Sequence, residues 1–72
     1  MTKKEKIVLL EDMMELESGA LYEDTDLRDI DEWDSLAAIS LIVLVDEHFG
    51  KKLTADTIRA FKKISDILDI ME

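Results

Sequence analysis

The sequence predicts an all-α fold, a four-helix bundle with a long loop between helices 1 and 2 and a short third helix. Three observations predict it. Proline is absent and glycine occurs only twice in 72 residues, so few positions interrupt a helix. Apolar residues recur at three- and four-residue spacing instead of alternating. Capping residues and glycines stand at the edges of the periodic stretches.

The first helix is expected from about Lys3 to Glu17. Ile7, Leu10 and Met14 recur at i, i+3 and i+7, and Leu9, Met13 and Leu16 widen that stripe. Gly19, just past Ser18, reads as its stop. From Ser18 to Asp34 there is no helical period, and Leu21, Leu27, Ile30 and Trp33 are scattered among acids. Loops beyond roughly 12–15 residues in a compact domain are usually functional or disordered. Large apolar residues at intervals predict a loop pinned to the core, with Arg28 placed to bridge some of the acids.

The second helix is expected from Ser35 to Phe49 and carries two apolar stripes. Ala38, Leu41, Ile42, Val45 and Phe49 form a core face, while Leu36, Ile39 and Val43 form a second stripe rotated around the helix. In so small a domain little protein remains to cover the second stripe, so it is a candidate docking patch. Gly50 suits the left-handed residue that ends helices. Thr54 is expected to cap a short helix over Ala55 to Ala60, with Ile58 and Phe61 turned inward. Lys62-Lys63 then links to a last helix from Ile64 to Met71, whose core side is Ile64, Ile67, Leu68 and Met71. The four methionines lie in the first helix and at both ends of the chain, and read as core or terminal padding.

Length and charge bound the function. The chain is a single domain, residues 1–72, and one this short buries only about 60% of its unfolded surface, which leaves no room for a deep active site. Without cysteine it has neither a disulfide nor a thiolate metal site. Neither terminus resembles a signal segment, and the longest uncharged run, Ser35 to Val45, is about half of the roughly 20 residues a membrane span needs. A soluble, cytoplasmic, monomeric protein is expected. The net charge of −9 is unevenly placed, with eleven acids against Arg28 alone between Glu11 and Asp34, and five bases against Asp56 alone between Lys51 and Lys63. Such a chain repels nucleic acid and anionic lipid and is steered toward basic partner surfaces.

No enzyme chemistry is expected, and no catalytic residue is assigned. The lone histidine, His48, sits in the last turn of a helix, where an imidazolium is mildly favoured, and Ser35 has no recognisable triad partners. A calcium-loop frame begun at Asp24 puts Arg28 and Asp29 where a ligand and the glycine are required, and Ser35 where the closing glutamate belongs. No metal site is assigned. Ser35 itself has two readings. It can begin the second helix as a capping hydroxyl, or, if Asp34 is the cap, lie on the first turn as a point of covalent attachment near the positive helix end.

Asp34-Ser35-Leu36 at the start of a helix, after a long acidic loop, resembles the phosphopantetheine attachment motif of acyl carrier proteins. Thr25-Asp26-Leu27 followed by Trp33-Asp34-Ser35-Leu36-Ala37 is similar to small freestanding carriers, and the likeness covers nearly the whole chain. The resemblance implies a bundle of acyl-carrier type and 4′-phosphopantetheine, transferred from coenzyme A to Ser35, with Asp34 assisting recognition. Acyl groups would travel as thioesters on the arm. A chain without cysteine then borrows its reactive sulfur.

The resemblance also implies partners. These are a phosphopantetheinyl transferase, and acyl- or adenylate-forming ligases, ketosynthases or acyltransferases with basic docking surfaces. Leu36, Ile39 and Val43 match the apolar part of the family's partner face, and Asp46 and Glu47 part of its acidic rim. Some positions depart from the family's pattern. Ala37 and Ser40 stand where fatty-acid carriers usually have acids, Lys62-Lys63 replaces a hydroxyl residue, Ile58 and Ile67 stand where smaller side chains are common, and Trp33 replaces a small one. These departures shift the expectation from routine fatty-acid synthesis toward a polyketide, specialised-lipid or modified amino-acid pathway. An aminoacyl or peptidyl carrier, or an unmodified helical adaptor, are the alternatives.

Overall fold

Why each helix stops where it does decides where Ser35 sits. A computed structural model describes residues 2–71, so the expectations on Met1 and Glu72 lie outside the described residues. The helices are α1 (Lys3–Met13), α2 (Ser35–Phe49), α3 (Ala55–Ala60) and α4 (Ile64–Ile70), with one 3₁₀ turn at Leu27–Asp29. These are the four helices expected, with the long loop after the first and the third the shortest.

Thr2 starts α1 with a reciprocal cap. Its hydroxyl accepts the Glu5 N–H at 3.2 Å, and the Glu5 carboxylate accepts the Thr2 N–H at 3.2 Å. The helix ends at Met13, a full turn before the expected Glu17, and Gly19 is not its stop. Glu15 takes the left-handed conformation instead, with φ 58°. The Leu16 N–H then reaches back to the Glu11 carbonyl at 2.8 Å and the Glu15 N–H to that of Asp12 at 3.1 Å, a Schellman closure. Leu16 packs against the core at that point, so tertiary burial outweighs the cost of a non-glycine left-handed residue.

Leu10, Met14, Leu41, Val45, Ile64, Ile67, Leu68 and Met71 form the buried centre, joined by Leu21, Leu27 and Ile30 from the loop. The loop is therefore pinned, as its apolar spacing predicts. α1 packs on α2 and α4. The radius of gyration, 10.9 Å, matches the roughly 11 Å of a compact chain of this length, so the loop adds no protrusion. On α2 the buried residues are Ala37, Leu41 and Val45, whereas Ala38, Ile42 and Phe49 are only half-buried. Ala37 thus faces the core and not the exposed surface of α2. Ile58 and Phe61 are likewise half-buried, and α3 buries no residue fully.

The loop is tied down by pairing that local sequence does not announce. Leu27 donates to the Lys62 carbonyl at 2.9 Å, Ile64 to that of Thr25 at 3.0 Å, and Ser65 to that of Glu23 at 2.8 Å. This antiparallel patch joins the loop to the α3–α4 link. Asp66 supports the same link by accepting the N–H groups of Lys62 at 2.8 Å and Lys63 at 3.1 Å. Those two donors, helped by the nearby lysine charges, hold its carboxyl below the ordinary value of 3.8. A lowered folded value means the contribution is present above the unfolded pKa and lost as pH falls through the folded one. Asparagine keeps an acceptor but no charge. The stability gap between wild type and Asp66→Asn, from urea unfolding, is therefore expected to narrow between about pH 7 and about pH 3. A gap constant over that range refutes the charge contribution.

Candidate functional site

Asp34, with φ −128° and ψ −171°, is the N-cap of α2, and its carboxylate accepts the Ala37 N–H at 2.9 Å. The Asp34 carbonyl accepts the Ala38 N–H at 3.0 Å. Ser35 is consequently the first helical residue, and the reading in which its hydroxyl caps the helix is excluded. That hydroxyl is exposed and makes no hydrogen bond among the described residues. The backbone N–H groups of Ser35 and Leu36 likewise have no acceptor among them.

A 15-residue helix ending here presents the positive end of its dipole and two spare donors beside an unengaged alcohol. An anionic phosphodiester on that oxygen is electrostatically matched to the position. Asp34, the acid next to Ser35 in the chain, accepts the Ala37 N–H and is satisfied there. At the other end, Gly50 closes α2 in the left-handed region with φ 65°, as expected, and donates to the Asp46 carbonyl at 3.0 Å.

Down the outer side of α2 run Leu36, Ile39 and Val43, exposed by 71%, 59% and 50%. Spaced by three and four residues, they make one continuous apolar strip leading away from Ser35. Ile39, Val43 and Leu44 share a shallow groove with Leu9 and Met13 of α1, and Glu47 stands at its edge. Asp46 and Glu47 are both exposed. The structure thus gathers all seven candidate residues on α2 and its cap. Arg28 pairs with the loop acid Asp26 at 3.4 Å, as expected; what the sequence did not indicate is that it comes to lie with Trp33, close to the α3–α4 link. Among the described residues no group of three carboxylate or imidazole side chains is placed to hold a metal ion. No helix among them is long and apolar enough to cross a membrane.

Comparison with known proteins adds three findings. The family described as phosphopantetheine attachment site matches residues 7–71. The solution NMR structure of holo acyl carrier protein from Geobacter metallireducens superimposes with a TM-score of 0.75 at 26% identity, covering 99% of this chain and 83% of that one. No curated protein sequence gives a significant match.

Proposed function

The chain belongs to the phosphopantetheine attachment-site family, and from that premise we propose that Ser35 is the residue bearing the arm. The protein is a carrier and not an enzyme, and its cofactor is covalent 4′-phosphopantetheine. When bound, that group supplies a terminal thiol able to hold acyl groups as thioesters. The unmodified-adaptor alternative falls with that result.

The observation that supports Ser35 is its unengaged hydroxyl at the first turn of α2, beside two N–H groups without acceptors. Asp34 fixes this exposure by taking the cap itself. The test is intact mass after coexpression with a broad-specificity phosphopantetheinyl transferase, with Ser35→Ala alongside.

Leu36, Ile39 and Val43 are read as the apolar docking strip for the transferase and for acyl- or adenylate-forming ligases, ketosynthases or acyltransferases, with Asp46 and Glu47 engaging basic residues of those partners. Such charges act mainly on encounter, and the desolvated apolar contacts on affinity. Val43→Asp changes an exposed position, so the fold is expected to persist while arm addition by purified transferase slows about thirtyfold, the size of one interface hot spot. An unchanged rate moves the docking surface elsewhere.

The reading extends to a cytoplasmic carrier of a dedicated polyketide, specialised-lipid or modified amino-acid pathway. Half-buried Ser40 stands on α2 where fatty-acid carriers usually have an acid, and Lys62-Lys63 adds positive charge near the α3–α4 link. Loading assays with purified ligases of each class discriminate among these pathways.

A further inference from the structure

A second recess is lined by loop residues just upstream of the attachment position and by none of the docking strip. Residues of the 3₁₀ turn and the α3–α4 link border an open groove of about 630 Å³. Trp33 and Phe61, both half-buried, supply apolar wall. Arg28, Arg59, Lys62 and Lys63 line it against a single carboxylate, Asp26. Four of the nine bases of a chain with net charge −9 therefore converge on one recess. Arg28 is paired with Asp26 and Arg59 with Asp56, whereas the exposed ammonium groups of Lys62 and Lys63 have no ion-pair partner among the described residues.

The groove adjoins the attachment position. Trp33 lines it and precedes Ser35 by two residues, so their α-carbons are at most about 7.6 Å apart. The bundle interior, by contrast, is closed, with Leu41, Val45, Ile64 and Ile67 fully buried.

We propose that this groove receives the anionic end of an acyl group that carries a second acidic function, tethered through Ser35. The inference rests on the carrier reading and narrows its cargo to charged acyl groups. Solvent-exposed ion contacts are individually weak. A tether makes the encounter intramolecular, at an effective concentration in the millimolar range, so weak contacts suffice. The aromatic walls cover the methylene carbons while the lysines meet the charge. An extended acidic segment of a partner protein is the less favoured occupant, because the acids between Glu23 and Asp34 repel it on approach.

The test loads the arm with a succinyl or a butyryl group, using the corresponding acyl-coenzyme A and a promiscuous transferase. The two cargoes have equal carbon count and differ in terminal charge. Proton–nitrogen correlation spectra and Trp33 fluorescence are then compared. The succinyl form is expected to shift the amides of Arg28, Phe61 and Lys63 and to alter Trp33 emission, while the butyryl form leaves them as in the holo protein. The exposed double substitution Lys62→Gln and Lys63→Gln is expected to lower the docking equilibrium constant about tenfold, as two screened ion contacts allow.

Equal effects of the two cargoes overturn the proposal, as does a succinyl pattern that survives the double substitution. Groove amides that ignore the succinyl group but move with free hexaglutamate assign the recess to an acidic partner protein and also overturn it. Absence of added mass refutes the attachment reading itself, which separates that failure from a failure of the groove alone.

Discussion

Ser35→Ala is expected to yield a folded chain that gains no mass in the presence of an active phosphopantetheinyl transferase, while the wild type gains one arm. The effect is all or none because, on the proposed attachment, the hydroxyl oxygen is the atom that bonds the arm. The substitution makes a clean test because Ser35 has no structural task. Asp34 supplies the cap, and the Ser35 hydroxyl makes no hydrogen bond among the described residues. Alanine is also the better helix former, so stability is expected to hold within about 0.5 kcal/mol. Loss of mass gain together with loss of fold would point to a structural role that the geometry excludes. An arm retained on the alanine variant would place the attachment on another hydroxyl, with exposed Ser18 and half-buried Ser40 and Ser65 as the remaining serines. It would remove the basis for the carrier geometry described here.

The far end of α2 and the start of α3 were readable because each is written in a single local residue: Gly50 takes the left-handed conformation, and Thr54 accepts the Thr57 N–H at 3.2 Å. The start of α2 offered two adjacent capping residues, Asp34 and Ser35, and only the contact of Asp34 with the Ala37 N–H decides between them. The end of α1 was not readable. Its left-handed position falls on Glu15, and only the burial of Leu16 against the other helices makes that choice favourable. A pattern of periodic apolar residues continues past Met13 and misled the expectation, because Leu16 serves the core from outside the helix. The exposed stripe of Leu36, Ile39 and Val43 was legible from helical spacing alone. The basic groove was only half legible. Lys62 and Lys63 stood out as a charge cluster, but Arg28 and Trp33 lie about 30 residues upstream and reach the same recess through pairing of the loop with the α3–α4 link.

Glu11 is the residue through which the loop is expected to be most easily undone. It is the one buried charged side chain among the described residues, 2% exposed, near the negative end of the α1 dipole where a carboxylate is unfavourable. What offsets this cost is its contact with the incoming loop. One oxygen, Oε2, accepts the Gly19 N–H at 2.9 Å and the Leu21 N–H at 3.0 Å. Glu11→Ala leaves the Leu21 N–H buried without an acceptor, while the exposed Gly19 recovers water. Charge-assisted bonds and an orphaned buried donor together predict a loss of about 2–3 kcal/mol. A domain of this length has roughly 4–11 kcal/mol in total, so the variant loses a large share of its stability. Its Tm is expected to fall by about 10–20 °C. Glu11→Gln keeps an oxygen that can accept both N–H groups and is expected to lose about 1 kcal/mol. Hydrogen exchange locates the damage, with the Leu21 amide expected to lose protection before the amides of α4. A Glu11→Ala protein that melts with the wild type would show that Leu21, Leu27 and Ile30 hold the loop by packing alone. If the anchor holds as described, loosening it frees the segment that delivers Trp33, Asp34 and Ser35 to the start of α2. Arm addition to Glu11→Ala should then fall as temperature approaches its lowered midpoint, and match the wild type well below it.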